Sequence, residues 1–448
     1  MIHYLKIKNF GPIKDEMEIN FEVADSNGLD DYVVEMPDKI QLIKLIYIYG
    51  ANASGKTTIL NAFEFLRYLL IHPKNEKEEV LDFEPFLFCD RPYSKHSFLE
   101  LAFYVSDIRY IYNLEFTKTS IVSEKLAFYQ TKKPTELFSR STDLKKRFSK
   151  IDFGSKIKVP AREKDLLESN TLHNNTVLGA YAKTNVDIPE LEALNKWFIS
   201  FFFGLITSNH MLNEFTSRLI ERDPQANVWI NTLLNKADSQ LMEVKVGSYE
   251  EGLNKMLQGS LNRNTVIRGT TYRLSTQELR NRFVSFLPKA SLEKPLFHEI
   301  NFIHKITDTK TFTLPYESES SGTKKYFGLS GPLYDVVHYP RMLCIDELET
   351  SLHPDLMKYY LQVFLLNSKK SQLLITTHST ALLDNEDFIR RDALWLCEKQ
   401  DTGSINLYSA ADFDSNTLRK DSSIQKAYKT GRLGAKPNLG SPYIDNNK

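Results

Sequence analysis

The sequence predicts an α/β protein in which an N-terminal and a C-terminal part contribute strands to one mixed sheet, with a helical lobe inserted between them. Three observations predict it. Leu45-Ile46-Tyr47-Ile48-Tyr49, Leu343-Cys344-Ile345 and Leu373-Leu374-Ile375-Thr376 are short, almost wholly apolar runs, as strands buried on both faces of a parallel sheet are. The first of them runs straight into a glycine-bearing turn, Gly50 to Gly55, followed by a helix pattern. In the middle of the chain, apolar residues recur at three-and-four spacing.

Composition bounds the answer. At 448 residues the chain is about three times a usual domain, so two lobes with separate cores are expected. A hydrophobic fraction of 42% with 25% charged residues is globular usage and excludes disordered, collagen-like and coiled-coil-rod classes. Lys+Arg and Asp+Glu balance at 57 each, so no global positive field gathers nucleic acid. Cys89, Cys344 and Cys397 are scattered and odd in number, which indicates neither a disulfide framework nor a zinc site. The N-terminus lacks a signal-peptide core, and no apolar run reaches the ~20 residues of a membrane span. A soluble cytoplasmic protein without a membrane partner is expected.

Taken in order, residues 2–8 alternate as a strand, and Gln41 to Tyr49 reads as a second strand region. Ser97 to Tyr104 and Ile108 to Phe116 flank Ser106-Asp107 as a hairpin. Leu191, Leu194, Trp197, Phe198, Phe201, Phe202, Leu205 and Ile206 keep helical spacing and predict one amphipathic helix whose aromatic stripe is core. Trp229, Ile230, Leu233 and Leu234 repeat the period after Asp223-Pro224. Strand patterns return at Met242 to Val246, Glu299 to Ile306 and Thr311 to Leu314. The expected divisions are 1–150, 151–240 for the helical lobe, 241–435, and a loose tail over 436–448.

Gly50-Ala51-Asn52-Ala53-Ser54-Gly55-Lys56-Thr57 matches the phosphate-binding P-loop pattern at every specified position, between an apolar strand and a helix opening at Thr58. Glycines let the backbone wrap so that its N–H groups meet phosphate oxygens, and the helix N-terminus adds its positive dipole end. Lys56 is expected on the β- and γ-phosphates of ATP and Thr57 on Mg2+. The second metal-side carboxylate is read in Asp346, at the end of its apolar run. Glu347, next along, is the candidate general base for the attacking water. A further buried strand ends at Thr377-His378-Ser379, which delivers His378 to the same sheet edge, where open α/β sheets bind ligands. Its expected role is a hydrogen bond to the γ-phosphate.

Between these halves lies Glu319-Ser320-Ser321-Gly322-Thr323-Lys324-Lys325, ahead of an apolar helix pattern. It resembles the degenerate signature motif of ABC ATPases. The ordered set of P-loop, signature, Asp346-Glu347 and His378, with Glu349-Thr350-Ser351-Leu352-His353-Pro354 in the D-loop position, resembles the RecF, SMC and OLD branch of ABC-type ATPases. It is most similar to the prokaryotic AAA-type ATP-binding proteins of phage-defence operons, such as abortive-infection, Septu or PARIS-like ATPase subunits. That likeness rests also on Leu5 to Phe10, Pro85-Phe86, Arg391-Asp392 and Gly431-Arg432-Leu433-Gly434-Ala435.

The resemblance implies an ABC-type P-loop ATPase head that hydrolyses ATP with Mg2+ and meets a second copy of itself. Ser320 and Gly322 of one copy would grip the nucleotide on Lys56 of another. Two departures stand out. The family's Q-loop glutamine has no firm counterpart, Gln130 being the nearest candidate and reading as a surface residue. The middle segment also lacks the heptads and the Cys-x-x-Cys of a long arm with a zinc hook.

By resemblance, the switch serves antiphage defence, with a phage-encoded trigger and a nuclease or toxin effector encoded nearby. The roughly 70 residues after His378 are too few for the Toprim nuclease of OLD proteins, so the effector is expected in trans. A RecF-like DNA-binding ATPase in repair is the alternative, and a transporter ATPase subunit a third. For DNA, the basic run is Lys145-Lys146-Arg147-Phe148-Ser149-Lys150, a pattern that is usually a solvated face.

Overall fold

The apolar alternation near the N-terminus folds into strand β1 (Ile2–Lys8), with Ile2, Leu5 and Ile7 buried. The computed structural model describes the chain except residues 25–27, 132, 208–211, 249–265, 268–269, 272–297, 385–387, 414–422 and 437–448. The chain divides into two compact units. The first comprises Met1–Ile206, Tyr339–Leu348 and Ser368–Lys448, and the second Thr207–His338 and Glu349–Asn367.

Two sheets build the first unit. In the larger, β1 is joined by β2 (Met17–Asn20), β6 (Ser97–Val105), β7 (Ile108–Phe116), β8 (Ile121–Tyr129), β9 (Pro134–Asp143) and β10 (Phe148–Phe153). Their order is β10-β9-β8-β7-β6-β1-β2, antiparallel throughout. The predicted hairpin turn is present, with φ of 46° at Ser106 and 66° at Asp107. Left-handed backbone at both central residues suits the right-handed twist of the flanking strands. A short pair, β3 (Val33–Glu35) and β4 (Gln41–Ile43), precedes the second sheet.

That sheet contains β5 (Leu45–Tyr49), β11 (Phe202–Ile206), β17 (Met342–Ile345), β18 (Gln372–Thr377), β19 (Leu394–Lys399) and β20 (Ile405–Ser409). The order is β11-β17-β18-β5-β19-β20, parallel except for the last pair. The three apolar runs are therefore neighbours at its centre, as their composition requires. Buried Gln372 ties the two sheets together: its side-chain amide donates to Ile2 O at 2.8 Å and accepts from Ile2 N at 2.5 Å.

Helix α1 (Lys56–Ile71) buries Ile59, Leu60, Phe63, Phe65, Leu66 and Leu70. Phe65 joins an aromatic cluster with Phe10, Phe83 and Phe116, the ring centroids 4.8 to 5.6 Å apart. Helices α2 (Ala161–Asn170), α3 (Val177–Tyr181) and α4 (Pro189–Phe201) follow. The aromatic stripe is core: Trp197 stacks on Phe103 at 4.9 Å, and Phe198 lies 5.1 Å from it.

One expectation is corrected here. The helix predicted to run through Ile206 ends at Phe201, and Phe202–Ile206 is strand β11, parallel to β17. Gly204 has φ +112°, outside helical space, and the sheet offers this apolar run a ladder of backbone partners. For the same reason residues 151–206 belong to the first unit, so the lobe expected over 151–240 is divided at Ile206.

The second unit holds α5 (Asn213–Arg222), α6 (Pro224–Ala237), β12 (Leu241–Val246), the short pair β13 (Val266–Ile267) and β14 (Thr270–Thr271), β15 (Ile300–Thr307), β16 (Lys310–Pro315), α7 (Ser321–His338) and α8 (Pro354–Asn367). Asp223 caps α6, accepting from Gln225 N, with Pro224 at the first helical position. Helix α9 (Ile424–Lys429) belongs to the first unit. The expected tail lies outside the described residues except Lys436, which is anchored, its Nζ donating to Lys429 O at 2.6 Å. Among the described residues no helix is long and apolar enough to cross a membrane.

Candidate nucleotide-binding site

Strand β5, buried at all five residues, delivers Gly50 to the edge of the parallel sheet. No side chain fits there, because a Cβ on Gly50 would stand 2.3 Å from Cys397 O and 2.5 Å from Ser54 Oγ. The loop then turns through left-handed backbone at Ala53 (φ 61°) and Gly55 (φ 97°). Successive N–H groups in such a turn make a concave anion receptor. Lys56, the first residue of α1, is buried, and its Nζ donates to Gly50 O at 2.8 Å and Ala51 O at 2.9 Å. Its ammonium thus lies across the loop that would hold phosphates. Asn52 and Ala53 are exposed at the loop tip, and Thr58 N closes the first helical turn on Gly55 O at 3.0 Å. Ser54 is buried with its Oγ lacking a hydrogen-bond partner among the described residues, while its carbonyl accepts from Cys397 Sγ at 3.0 Å. Burial pushes that thiol up to about 11.

Asp346 follows β17 directly. Its Oδ2 accepts from Thr57 Oγ1 at 3.0 Å and its Oδ1 from Thr376 Oγ1. Thr376 also accepts from Glu347 N at 2.9 Å, and Asp346 N is held by Ile206 O at 2.8 Å. One hydroxyl, two residues before His378, therefore fixes both predicted acidic positions. Glu347 itself has φ 50°, a left-handed conformation that costs a non-glycine residue about 1–2 kcal/mol. It bends the chain sharply as it leaves the sheet. Thr376 was not among the residues read from the sequence. Its only signal is a polar residue at the end of an apolar run.

The hydroxyl of Thr57 and the carboxylate of Asp346 are hard oxygen donors of the kind Mg2+ takes beside phosphate oxygens, so the residues present fit that ion. His378 is exposed at the end of β18 and lines a cleft of about 990 Å³ with Gly50, Ala51, Asn52, Ala53 and Ser54. Lys56, Thr57, Asp346, Glu347 and His378 thus come to one end of one sheet.

Ser320 and Gly322 lie in the second unit. Ser320 caps α7: its Oγ accepts from Thr323 N at 3.1 Å, and its own N donates to Glu319 Oε1 at 2.6 Å. Glu319 is fixed in turn by His304 Nε2, 2.7 Å away. A Cβ on Gly322 would come within 3.2 Å of Ser351 O, and Ser351 takes φ 63°. The segments around Gly322 and Ser351 therefore touch within that unit. Gln130 sits after β8 with its Oε1 accepting from Lys156 Nζ at 3.1 Å, a surface contact. The basic run forms the β9–β10 turn, where Arg147 and Lys150 pair with Glu78 and Asp152.

The sequence profile of the family described as "AAA domain, putative AbiEii toxin, Type IV TA system" matches residues 45–384. No curated protein matches the chain. Among solved structures, it is similar to the SMC head domain from Thermotoga maritima, at 12% identity over 91% of this chain and 98% of that one, with a TM-score of 0.40. It is also similar to an Smc head bound to the C-terminal winged-helix domain of ScpA (11%, 96% and 99%, 0.42). A third is the Smc head with an extended coiled coil bound to the C-terminal domain of ScpA derived from Pyrococcus furiosus (12%, 96% and 98%, 0.37). The family profile spans most of the chain, from β5 past His378, and the chain belongs to this family of AAA domains.

Proposed function

We propose that this protein is an ATP-hydrolysing switch whose active site is completed by a second copy of the chain. The observation that carries the reading is the hydrogen-bonded series Thr57–Asp346–Thr376–Glu347 beside the P-loop. In it Lys56 and the loop N–H groups hold the β- and γ-phosphates, with His378 hydrogen-bonding the γ-phosphate. Thr57 and Asp346 would hold Mg2+, which when bound offsets charge on the phosphates. Glu347 takes a proton from the attacking water, and Thr376 fixes the backbone from which it does so. The N-terminus of α7, with Ser320 and Gly322, supplies further donors to a γ-phosphate held by the other copy, so ATP closes the pair and hydrolysis opens it.

The family's description names a putative AbiEii toxin of a type IV TA system, which fits a protein that works beside a partner. On this reading the ATPase senses a phage product and controls a nuclease or toxin effector in antiphage defence. Glu347→Gln is expected to keep ATP binding, lose turnover by about 100-fold or more, and accumulate a closed dimer by size exclusion. Unchanged phosphate release would sink the assignment of the base.

A further inference from the structure

Besides the P-loop, the cleft is lined by a wall from the C-terminal part of the first unit: Tyr428, Lys429, Ala435 and Lys436. This wall includes the Gly431-to-Ala435 sequence, to which the nucleotide chemistry above gives no task. It is held with unusual backbone. Gly431, Gly434 and Ala435 take φ of 80°, 67° and 57°, and a Cβ on Gly434 would meet the Tyr408 hydroxyl at 2.4 Å. That hydroxyl donates to Leu433 O at 2.9 Å, and Tyr428 OH donates to Ala435 O at 3.3 Å. Gln425 Nε2 donates to Thr380 O at 3.0 Å, which fastens α9 to the loop carrying His378.

What this wall turns to the cleft is charge. The ring of Tyr428 is taken up by Tyr49, with centroids 6.0 Å apart. Lys429 Nζ donates to Gln425 Oε1 at 2.8 Å and Lys436 Nζ to Lys429 O at 2.6 Å, both neutral acceptors. The other charged groups lining the cleft are Lys399, Glu398 and Asp401, with His378. Glu398 is engaged by Tyr408, whose phenol burial and that carboxylate push up to about 12. One cleft of about 990 Å³ is lined both by P-loop residues 50–54 and by these lysines, room enough for a small phosphate-bearing ligand.

We propose that Lys429 and Lys436 bind the terminal phosphate of a nucleoside triphosphate held by the P-loop, so that the C-terminal segment distinguishes ATP from ADP. The inference rests on the nucleotide reading of that loop. A second phosphate-binding wall in the same copy as Lys56 makes the segment's seating depend on the γ-phosphate.

The test uses the full chain and fluorescent ATP and ADP analogues titrated in Mg2+ buffer. Lys429→Ala/Lys436→Ala is expected to weaken ATP binding about tenfold or more, as loss of charge-assisted hydrogen bonds does, while ADP binds as before. Lys429→Arg/Lys436→Arg should restore the ATP preference. Gly434→Val, which drives the segment off Tyr408, should lose the preference and keep ADP. An unchanged ATP-to-ADP ratio in the double alanine variant overturns the proposal, provided Lys56→Ala abolishes binding of both nucleotides. If Lys56→Ala still binds both, the nucleotide site itself is overturned, and this inference with it.

Discussion

Thr376 shows how much of a site can hang on one hydroxyl. Its Oγ1 donates to Asp346 and accepts from Glu347 N at 2.9 Å, so removing it takes one hydrogen bond from each of the two acidic residues. Thr376→Val keeps the shape of a fully buried strand residue, and turnover is expected to fall about 10–100-fold with nucleotide affinity little changed. Steady-state phosphate release beside equilibrium ATP binding checks this, and equal losses in both would mean that the strand had been disturbed. At this scale the sequence was generous. Lys56, Thr57, Asp346, Glu347 and His378 could be expected at one end of one sheet because a phosphate loop tolerates few residue types and two further apolar runs lead into polar residues. Thr376 escaped because β-branched threonine is an ordinary strand residue, and its hydroxyl gains meaning only from two neighbours that the fold brings beside it.

Elements were legible where their own period decided them. The Ser106-Asp107 hairpin, α6 behind its Asp223-Pro224 cap and the central parallel strands stand where apolar spacing and turn chemistry put them. The Phe202–Ile206 stretch did not, because a short apolar run satisfies a helical face and a buried strand equally, and the free edge of β17 decided between them. Burial also hides the tie between β8, β9 and α3. Glu124 and Arg140, both fully buried, lie 3.7 Å apart, and Glu124 accepts from Tyr112 OH at 2.7 Å and Val177 N at 2.9 Å. Desolvation raises the Glu124 carboxyl and lowers the Arg140 guanidinium, while their mutual attraction and the hydrogen bonds to Glu124 act the other way. Glu124→Ala is expected to cost about 3–5 kcal/mol, since it leaves Arg140 buried without its countercharge. Urea unfolding would show this as a lower midpoint with the slope retained, and a shift under about 1 kcal/mol would mean that water reaches the pair.

For the whole molecule the decisive question is whether one copy of the chain suffices. If the site is shared, Lys56→Ala and Ser320→Arg variants should each be inactive, yet an equal mixture should regain about a quarter of wild-type turnover, since half the pairs carry one intact site of two. A mixture as dead as its parts would put Ser320 outside the site. The sequence by itself determined the P-loop pattern between an apolar strand and a helix, the parallel core and the polar residues that come to one end of its sheet, because period-two and period-3.6 burial and phosphate chemistry are local constraints that neighbouring residues must meet. The tertiary structure alone decided that residues 202–206 close the sheet edge, that Thr376 links the two acidic positions, and that the chain around Gly434 returns to the cleft of Gly50. Those depend on contacts between residues far apart in sequence, and such contacts are fixed by which surfaces remain to be buried once each element has formed.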